Sequence, residues 1–255
     1  MIDKGINLYI SKKFDELTLL DMFSQAGFDS VIIPFDFVDS YKQKTLSILK
    51  KNNLKLQMVH CRYKEEDLDY FWQDDLRGQK VFDDYIYQIE NIKHLSPVDF
   101  IIHLACTKGN HYSKLGQERL QKIITKAKGC GVRVCVENTF STYQQIKIFE
   151  NISDENLKMC YDCGHENWLT PEDNLIDIFK EKIVQIHLHN NDGTFDQHQP
   201  IFEGKIDVKN KAKQLATIPN KIALCLELKF VDDRLSLEFL KEMKKSLDVL
   251  ELMMK

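Results

Sequence analysis

Short apolar runs recur along the chain, and between them lie longer stretches whose apolar residues return every three to four positions. The short runs are residues 5–9 (GINLY), 31–35 (VIIPF), 56–60 (LQMVH), 100–105 (FIIHLA), 133–138 (RVCVEN), 158–163 (KMCYDC), 184–189 (VQIHLH) and 223–228 (ALCLEL). Unbroken apolar runs of this length are expected of parallel strands covered on both faces. The longer stretches read as helices. One covers residues 15–25 and stops before Gly27; another covers 113–128 and stops before Gly131. Thr170-Pro171-Glu172-Asp173 predicts a helix start, with a cap, a proline in the first turn and acidic residues behind it. Residues 235–253 predict a long closing helix.

Eight strands alternating with helices over 255 residues predict a single-domain (β/α)8 TIM barrel spanning residues 1–255. A doubly wound open sheet would need a switch point and usually a glycine-rich phosphate loop, and neither G-x-G-x-x-G nor a P-loop lysine motif is present.

In such a barrel, chemistry sits at the C-terminal ends of the strands. Six of the eight runs end in, or nearly in, a metal-competent residue: His60, His103, Glu137, Asp162, His187 and Glu227. In the seventh run Gln185, His187 and His189 alternate with Val184, Ile186 and Leu188, so one face is polar and the other apolar. A lone strand histidine is most often structural, and a lone carboxylate can pair with a lysine. Together, however, these carboxylates interrupt apolar strands with no local partner, and uncompensated buried charge is costly. A divalent cation resolves the problem for several at once. Mixed imidazole and carboxylate donors fit Zn²⁺, Mn²⁺ or Co²⁺ better than Ca²⁺. His165, just past Asp162, and the loop pair Asp196 and His198 can join the same constellation.

Composition narrows the options. Net charge is −4, and no basic stripe with interleaved aromatics occurs, which argues against a nucleic-acid partner. No run approaches the ~20 apolar residues of a membrane span, and residues 1–16 lack a signal-peptide layout. Seven scattered cysteines suit free thiols in a reducing, cytoplasmic setting. Cys160 and Cys163 form a C-x-x-C, but positions three apart in a strand face opposite ways, which argues against a redox pair.

The motifs ENT at 137–139, DCGH at 162–165, HLHNNDG at 187–193, DQHQPIFEGKID at 196–207 and LEL at 226–228 occur in an order and spacing that resemble the xylose isomerase-like barrel superfamily over almost the whole chain. That superfamily includes sugar and sugar-phosphate isomerases and epimerases, and apurinic/apyrimidinic endonucleases of the endonuclease IV type. Where relatives often have H-x-H-D-N and G-E-G, this chain has HLHNN at 187–191 and FEG at 202–204.

The resemblance implies two patterns. In the epimerase-like one, Glu137, Asp162, His187 and Glu227 hold one divalent ion, Glu137 and Glu227 move the substrate proton, and His165 contacts substrate. In the endonuclease-like one, three zinc ions are held: the first by His60, His103 and Glu137, the second by Glu137, Asp162, His187 and Glu227, the third by His165, Asp196 and His198. His187 is preferred over His189 as the ligand. The favoured expectation is a metal-dependent isomerase or epimerase of a small sugar or sugar phosphate, with one to three divalent ions and proton transfer through a metal-stabilised enediolate. A multinuclear zinc phosphodiesterase is the alternative. Arg62, Lys64 and Lys108 are candidates for a substrate phosphate. Trp72 and Trp168 are candidates for sugar-facing walls, with core packing as the competing role. Tyr63 is a candidate stacking residue. The resemblance also implies a homodimer.

Overall fold

The protein is described from a computed structural model, covering residues 2–9, 11–107, 109–229 and 233–255. Eight parallel strands close on themselves in sequence order. They are β1 (Lys4–Asn7), β2 (Ser30–Pro34), β3 (Lys55–His60), β4 (Val98–Ile102), β5 (Val132–Glu137), β6 (Leu157–Asp162), β7 (Ile183–Leu188) and β8 (Leu224–Leu226). Closure is made where β1 pairs with β8, Gly5 opposite Cys225. The (β/α)8 expectation is borne out.

The helices are α1 (Glu16–Ala26), α2 (Phe35–Tyr41), α3 (Thr45–Lys51), α4 (Glu65–Leu68), α5 (Leu76–Ile92), α6 (Lys114–Gly129), α7 (Thr142–Asn151), α8 (Cys163–Leu169), α9 (Leu175–Phe179), α10 (Val208–Leu215) and α11 (Leu237–Met253). Caps follow the local chemistry. Asp15, Ser113 and Ser236 each accept a backbone N–H from the first turn of α1, α6 and α11. The start expected at Thr170 is not used. Residues 170–173 form a turn instead, and α9 begins after Asn174, whose side chain accepts the Asp177 N–H. The proline and acidic residues therefore serve a turn, which accommodates the same residue types.

Two apolar layers result. The larger lies between strands and helices and includes Ile6, Phe100, Val134, Tyr161, Ile186 and Leu240. The smaller fills the barrel lumen with Ile32, Met58, Ile101, Cys135, Cys160, Val184, Ala223 and Cys225. Cys160 thus faces the lumen and Cys163 the helix layer, and all seven cysteines are free. Ile186 and Leu188 face the helices as expected, but Val184 joins the lumen. A register shift between Met159 and Cys160 lets both Val184 and Gln185 turn inward. Below the lumen layer Gln185 bonds Asp99, and Arg133 grips the same carboxylate with two N–H groups at 2.7 and 2.6 Å.

Candidate metal centre at the barrel mouth

The polar residues gather where the strands end. Glu137 and Asp162 close β5 and β6, His60 closes β3, His187 sits one residue inside the end of β7, and His103 and Glu227 lie one residue past β4 and β8. Glu137 is the hub. One oxygen, Oε2, lies 2.8 Å from His103 Nε2 and 3.5 Å from His60 Nε2. The other, Oε1, lies 3.0 Å from His187 Nδ1 and 3.3 Å from His165 Nδ1. Glu227 reaches His187 Nδ1 from the far side, at 2.8 Å.

Among the described residues, three groups bring donor atoms all within 4.8 Å of one another. The inner group is Glu137, Asp162, His187 and Glu227; a second is His60, Glu137 and His187; the outer group is His165, His189, Asp196 and His198. His103 stands outside these groups, although its Nε2 faces Glu137. His187 and His189 divide the roles that the sequence left between them: His187 joins the inner group, and His189 the outer one, with its Nε2 3.0 Å from Asp162 and 3.6 Å from Asp196.

Burial makes these groups costly without a cation. Glu137, Asp162 and His187 are fully buried, and Glu227 is 6% exposed. Glu227 Oε2 and Asp196 Oδ1 make no hydrogen bond of acceptable geometry. Burial alone would raise the Glu137 and Glu227 carboxyls, but His187, with His103 beside Glu137 and Lys229 beside Glu227, holds both well below the usual range. Burial pushes His103 down to about 4. For His60 burial acts the same way, yet Cys61 and Glu137 outweigh it and lift the imidazole to about 10. Two imidazoles are oriented from behind: His60 Nδ1 lies 3.0 Å from the Cys61 carbonyl, and His198 Nδ1 3.0 Å from the Glu227 carbonyl. Each nitrogen can donate its proton there, which leaves Nε2 as the free donor atom. The donor set, its burial and its orphaned oxygens fit a divalent metal with mixed N/O ligands.

The loop between β7 and α10 delivers Asp196 and His198. Asn190, 1% exposed, accepts the Asn191 and Ile206 N–H groups and donates to the Ile201 carbonyl. Its backbone pairs with Gln199 in both directions. His198 then sits at φ +48°, a conformation L-residues rarely adopt, which marks a position held by its surroundings. Gly164 allows His189 to lie against α8, because a Cβ there would overlap the imidazole.

A cavity of about 640 Å³ opens over these groups, lined by Asn7, Tyr9, Lys12, His60, Tyr63, Glu227, Lys229 and Asp233 among others. Tyr63 is half-buried, its ring centroid 4.4 Å from that of His103. Two of the three candidate phosphate ligands, Arg62 and Lys64, line a different cavity of about 280 Å³. Arg62 is engaged by Asp36, Asp39 and Asp84. Lys108 lies outside the described residues. Trp72 is buried in the helix layer with its Nε1–H bonded to the Leu104 carbonyl, so it is core and not a sugar wall. Trp168 is half-buried on α8 and does not line the mouth cavity.

One residue escaped the sequence reading: Lys229, which had a signal in lying two positions beyond Glu227. The sequence reading weighs His189 only as the alternative to His187, and not as a member of a second group.

Residues 20–251 match the family model described as xylose isomerase-like TIM barrel, and the chain belongs to that family. An uncharacterized protein of Methanocaldococcus jannaschii is 34% identical over 110 residues, 40% of this chain and 42% of that protein. A second from the same organism is 26% identical over 135 residues, 48% of this chain and 46% of that protein. The matched stretches thus span less than half the length of either relative. Similar solved structures include D-psicose 3-epimerase with D-tagatose from Clostridium cellulolyticum H10 (TM-score 0.79, 13% identity, all of both chains). L-ribulose 3-epimerase gives a TM-score of 0.77 at 17% identity, over 99% of this chain and 96% of that one. An IOLI protein with a binding zinc atom gives 0.76 at 17%, over 98% of each. At these identities the likeness establishes the fold. No helix of the described residues is long and apolar enough to cross a membrane.

Proposed function

We propose that the protein is a divalent-metal-dependent epimerase or isomerase of a small sugar or sugar phosphate. The observation that carries this reading is the inner group, two glutamates from β5 and the end of β8 flanking one imidazole, with an aspartate beside them, at the floor of an open cavity. Glu137, Asp162, His187 and Glu227 would hold the ion. When bound, a Zn²⁺, Mn²⁺ or Co²⁺ ion there supplies Lewis-acid charge that polarises a substrate carbonyl.

The chain's own groups do the rest. Glu227 lines the cavity, whereas Glu137 is fully buried beneath it, so the two carboxylates meet a substrate from different directions. One takes the proton from the carbon next to the carbonyl, leaving an enediolate, and the other returns a proton. Their depressed pKa values favour the ionised form, the state a base requires, so the carboxylate that returns a proton must first take one up from water. His165, 3.3 Å from Glu137, is placed to orient it or to donate to a substrate oxygen. Tyr63 and Tyr9 form walls suited to a sugar. The epimerase names among the structural neighbours support this reading, as does the zinc named with the IOLI protein.

The test is incubation with ketoses and Mn²⁺, Co²⁺ or Zn²⁺ in D₂O. Deuterium should enter the carbon beside the carbonyl. Glu137→Gln and Glu227→Gln should each lower turnover by about 10²–10⁴-fold. Phosphodiesterase activity without exchange would reject the proposal. That second reading, a multinuclear zinc hydrolase, draws on the outer group and on the approach of His60 and His103 to Glu137.

A further inference from the structure

Lys229 is not accounted for by either chemistry. Its ammonium lies 2.8 Å from His198 Nε2 and 3.7 Å from Glu227 Oε1. The two residues are also tied along the backbone, where the Lys229 N–H points at the His198 carbonyl at 3.5 Å. His198 Nδ1 is engaged with the Glu227 carbonyl, so Nε2 is the one atom His198 can offer to an ion. An ammonium has three donors and no acceptor, and it binds a neutral imidazole only through that same lone pair. That bond and a metal ion on His198 Nε2 are therefore mutually exclusive, and an ion entering the outer group would have to displace Lys229 from an imidazole nitrogen that also faces Asp196 Oδ2 at 2.5 Å.

Charge points the same way. Glu137, Asp162, Asp196 and Glu227 supply the four carboxylates of the centre, and Lys229 is, among the described residues, a lysine in contact with it. One inner divalent ion together with Lys229 brings the set within a single charge of neutrality, with the imidazoles in the neutral form that metal ligation requires. Three ions with Lys229 in place would leave three surplus positive charges in a largely buried site, and such charge is expensive.

We infer that Lys229 is the resident cation of the outer group, and that it holds the centre below three-ion loading. This rests on the proposed binding of a divalent ion by the inner group, and it separates the two readings of the site. A lysine-filled outer group suits proton transfer at one inner ion and withholds the third ion of a trinuclear hydrolase.

The test is metal stoichiometry. Wild type, Lys229→Met, Lys229→Arg, His198→Ala and the Lys229→Met/His198→Ala double variant are loaded with excess Zn²⁺, passed through a chelator-free desalting column, and assayed by mass spectrometry for zinc per chain. Lys229→Met should carry one ion more than wild type. Lys229→Arg and the double variant should return to the wild-type count, and His198→Ala alone should leave it unchanged. Methionine is close to lysine in volume, and the Lys229 side chain is 38% exposed, so the fold should tolerate the change. Equal zinc in Lys229→Met and wild type would overturn the inference. So would a lower count in His198→Ala, which would mean the outer group is already loaded. Wild type carrying no zinc would instead overturn the inner-ion reading, and this inference with it. Co²⁺ absorption should change in Lys229→Met in step with the added ion.

Discussion

At the scale of single residues, the mouth is organised by groups that accept crowding in return for position. Gly164 is the clearest case. It sits in the first turn of α8, two residues after Asp162, whose Oδ1 accepts the His165 N–H at 2.7 Å. With a hydrogen in place of a Cβ, the helix can touch the His189 ring. Gly164→Ala should push His189 off Asp162 and disturb Asp162 with it. The expected outcome is a loss of about 10–100-fold in metal affinity or activity, the range for groups that orient ligands. Overpacking should cost about 1–3 kcal/mol of stability as well. Measuring Mn²⁺ affinity alongside thermal melting separates the two effects: a variant that melts lower but binds metal normally would show that His189 does not orient the site.

At the scale of elements, legibility depended on whether the determinant was local. Alternation and apolar runs located all eight strands, because the side-chain period of a strand belongs to the strand itself. Ends were harder. Residues 100–105 read as one run, yet β4 stops at Ile102 and His103 turns out of the ladder. β8 keeps only Leu224–Leu226, although the Glu227 N–H still bonds the Leu188 carbonyl. The inner group was readable because its members sit at strand ends. The outer group was readable only in part, since the fold of the β7–α10 loop depends on Asn190 reaching Ile201 and Ile206. The roles of Arg62 and Trp72 were not readable, because both depend on partners distant in sequence.

One such distant contact locks the barrel's base. Lys4 on β1 is buried, and its ammonium lies 2.6 Å from Glu251 and 3.2 Å from Asp248 on α11. Burial disfavours the charge, but the hydrogen bonds to both carboxylates outweigh it and raise the Lys4 pKa. The Lys4 ammonium in turn holds Glu251 below the usual carboxylate range. The sign follows from linkage. Glu251 contributes stability above its unfolded pKa and loses it as pH falls through its lowered folded value. Lys4 contributes below its unfolded pKa and loses it as pH rises through its raised folded value. Lys4→Met should therefore cost about 2 kcal/mol at neutral pH, reduced from the range for a fully buried pair because Asp248 is half exposed. The deficit should begin to shrink below about pH 4, the usual carboxylate value, and disappear only as pH falls through the lowered Glu251 value. Paired melting curves from pH 3 to 9 check this, and a deficit that stays constant across the range would refute it.

The whole molecule sets one end of a closed barrel against the other. The base is satisfied internally: Arg133 and Gln185 both donate to Asp99, and Lys4 joins the first strand to the last helix. The mouth is not. Among the described residues it gathers four carboxylates and six imidazoles, counting His60, His103, His165, His187, His189 and His198, with Lys229 in contact with them. Mutual repulsion of the buried carboxylates must be borne by the rest of the fold, so a bound cation should stabilise the entire barrel. If free metal stands at a hundred times its dissociation constant, linkage contributes about 2.7 kcal/mol. For a chain of this size that corresponds to roughly 5–10 °C in Tm. Chelation followed by desalting should lower Tm by that amount, and Mn²⁺, Co²⁺ or Zn²⁺ should restore it, while Glu137→Gln, which removes one of the crowded charges, should melt nearly alike with and without metal. An apo-protein melting at the same temperature as the loaded one would mean that the mouth carries its charge without a cation, and the reading of these residues as ligands would fall.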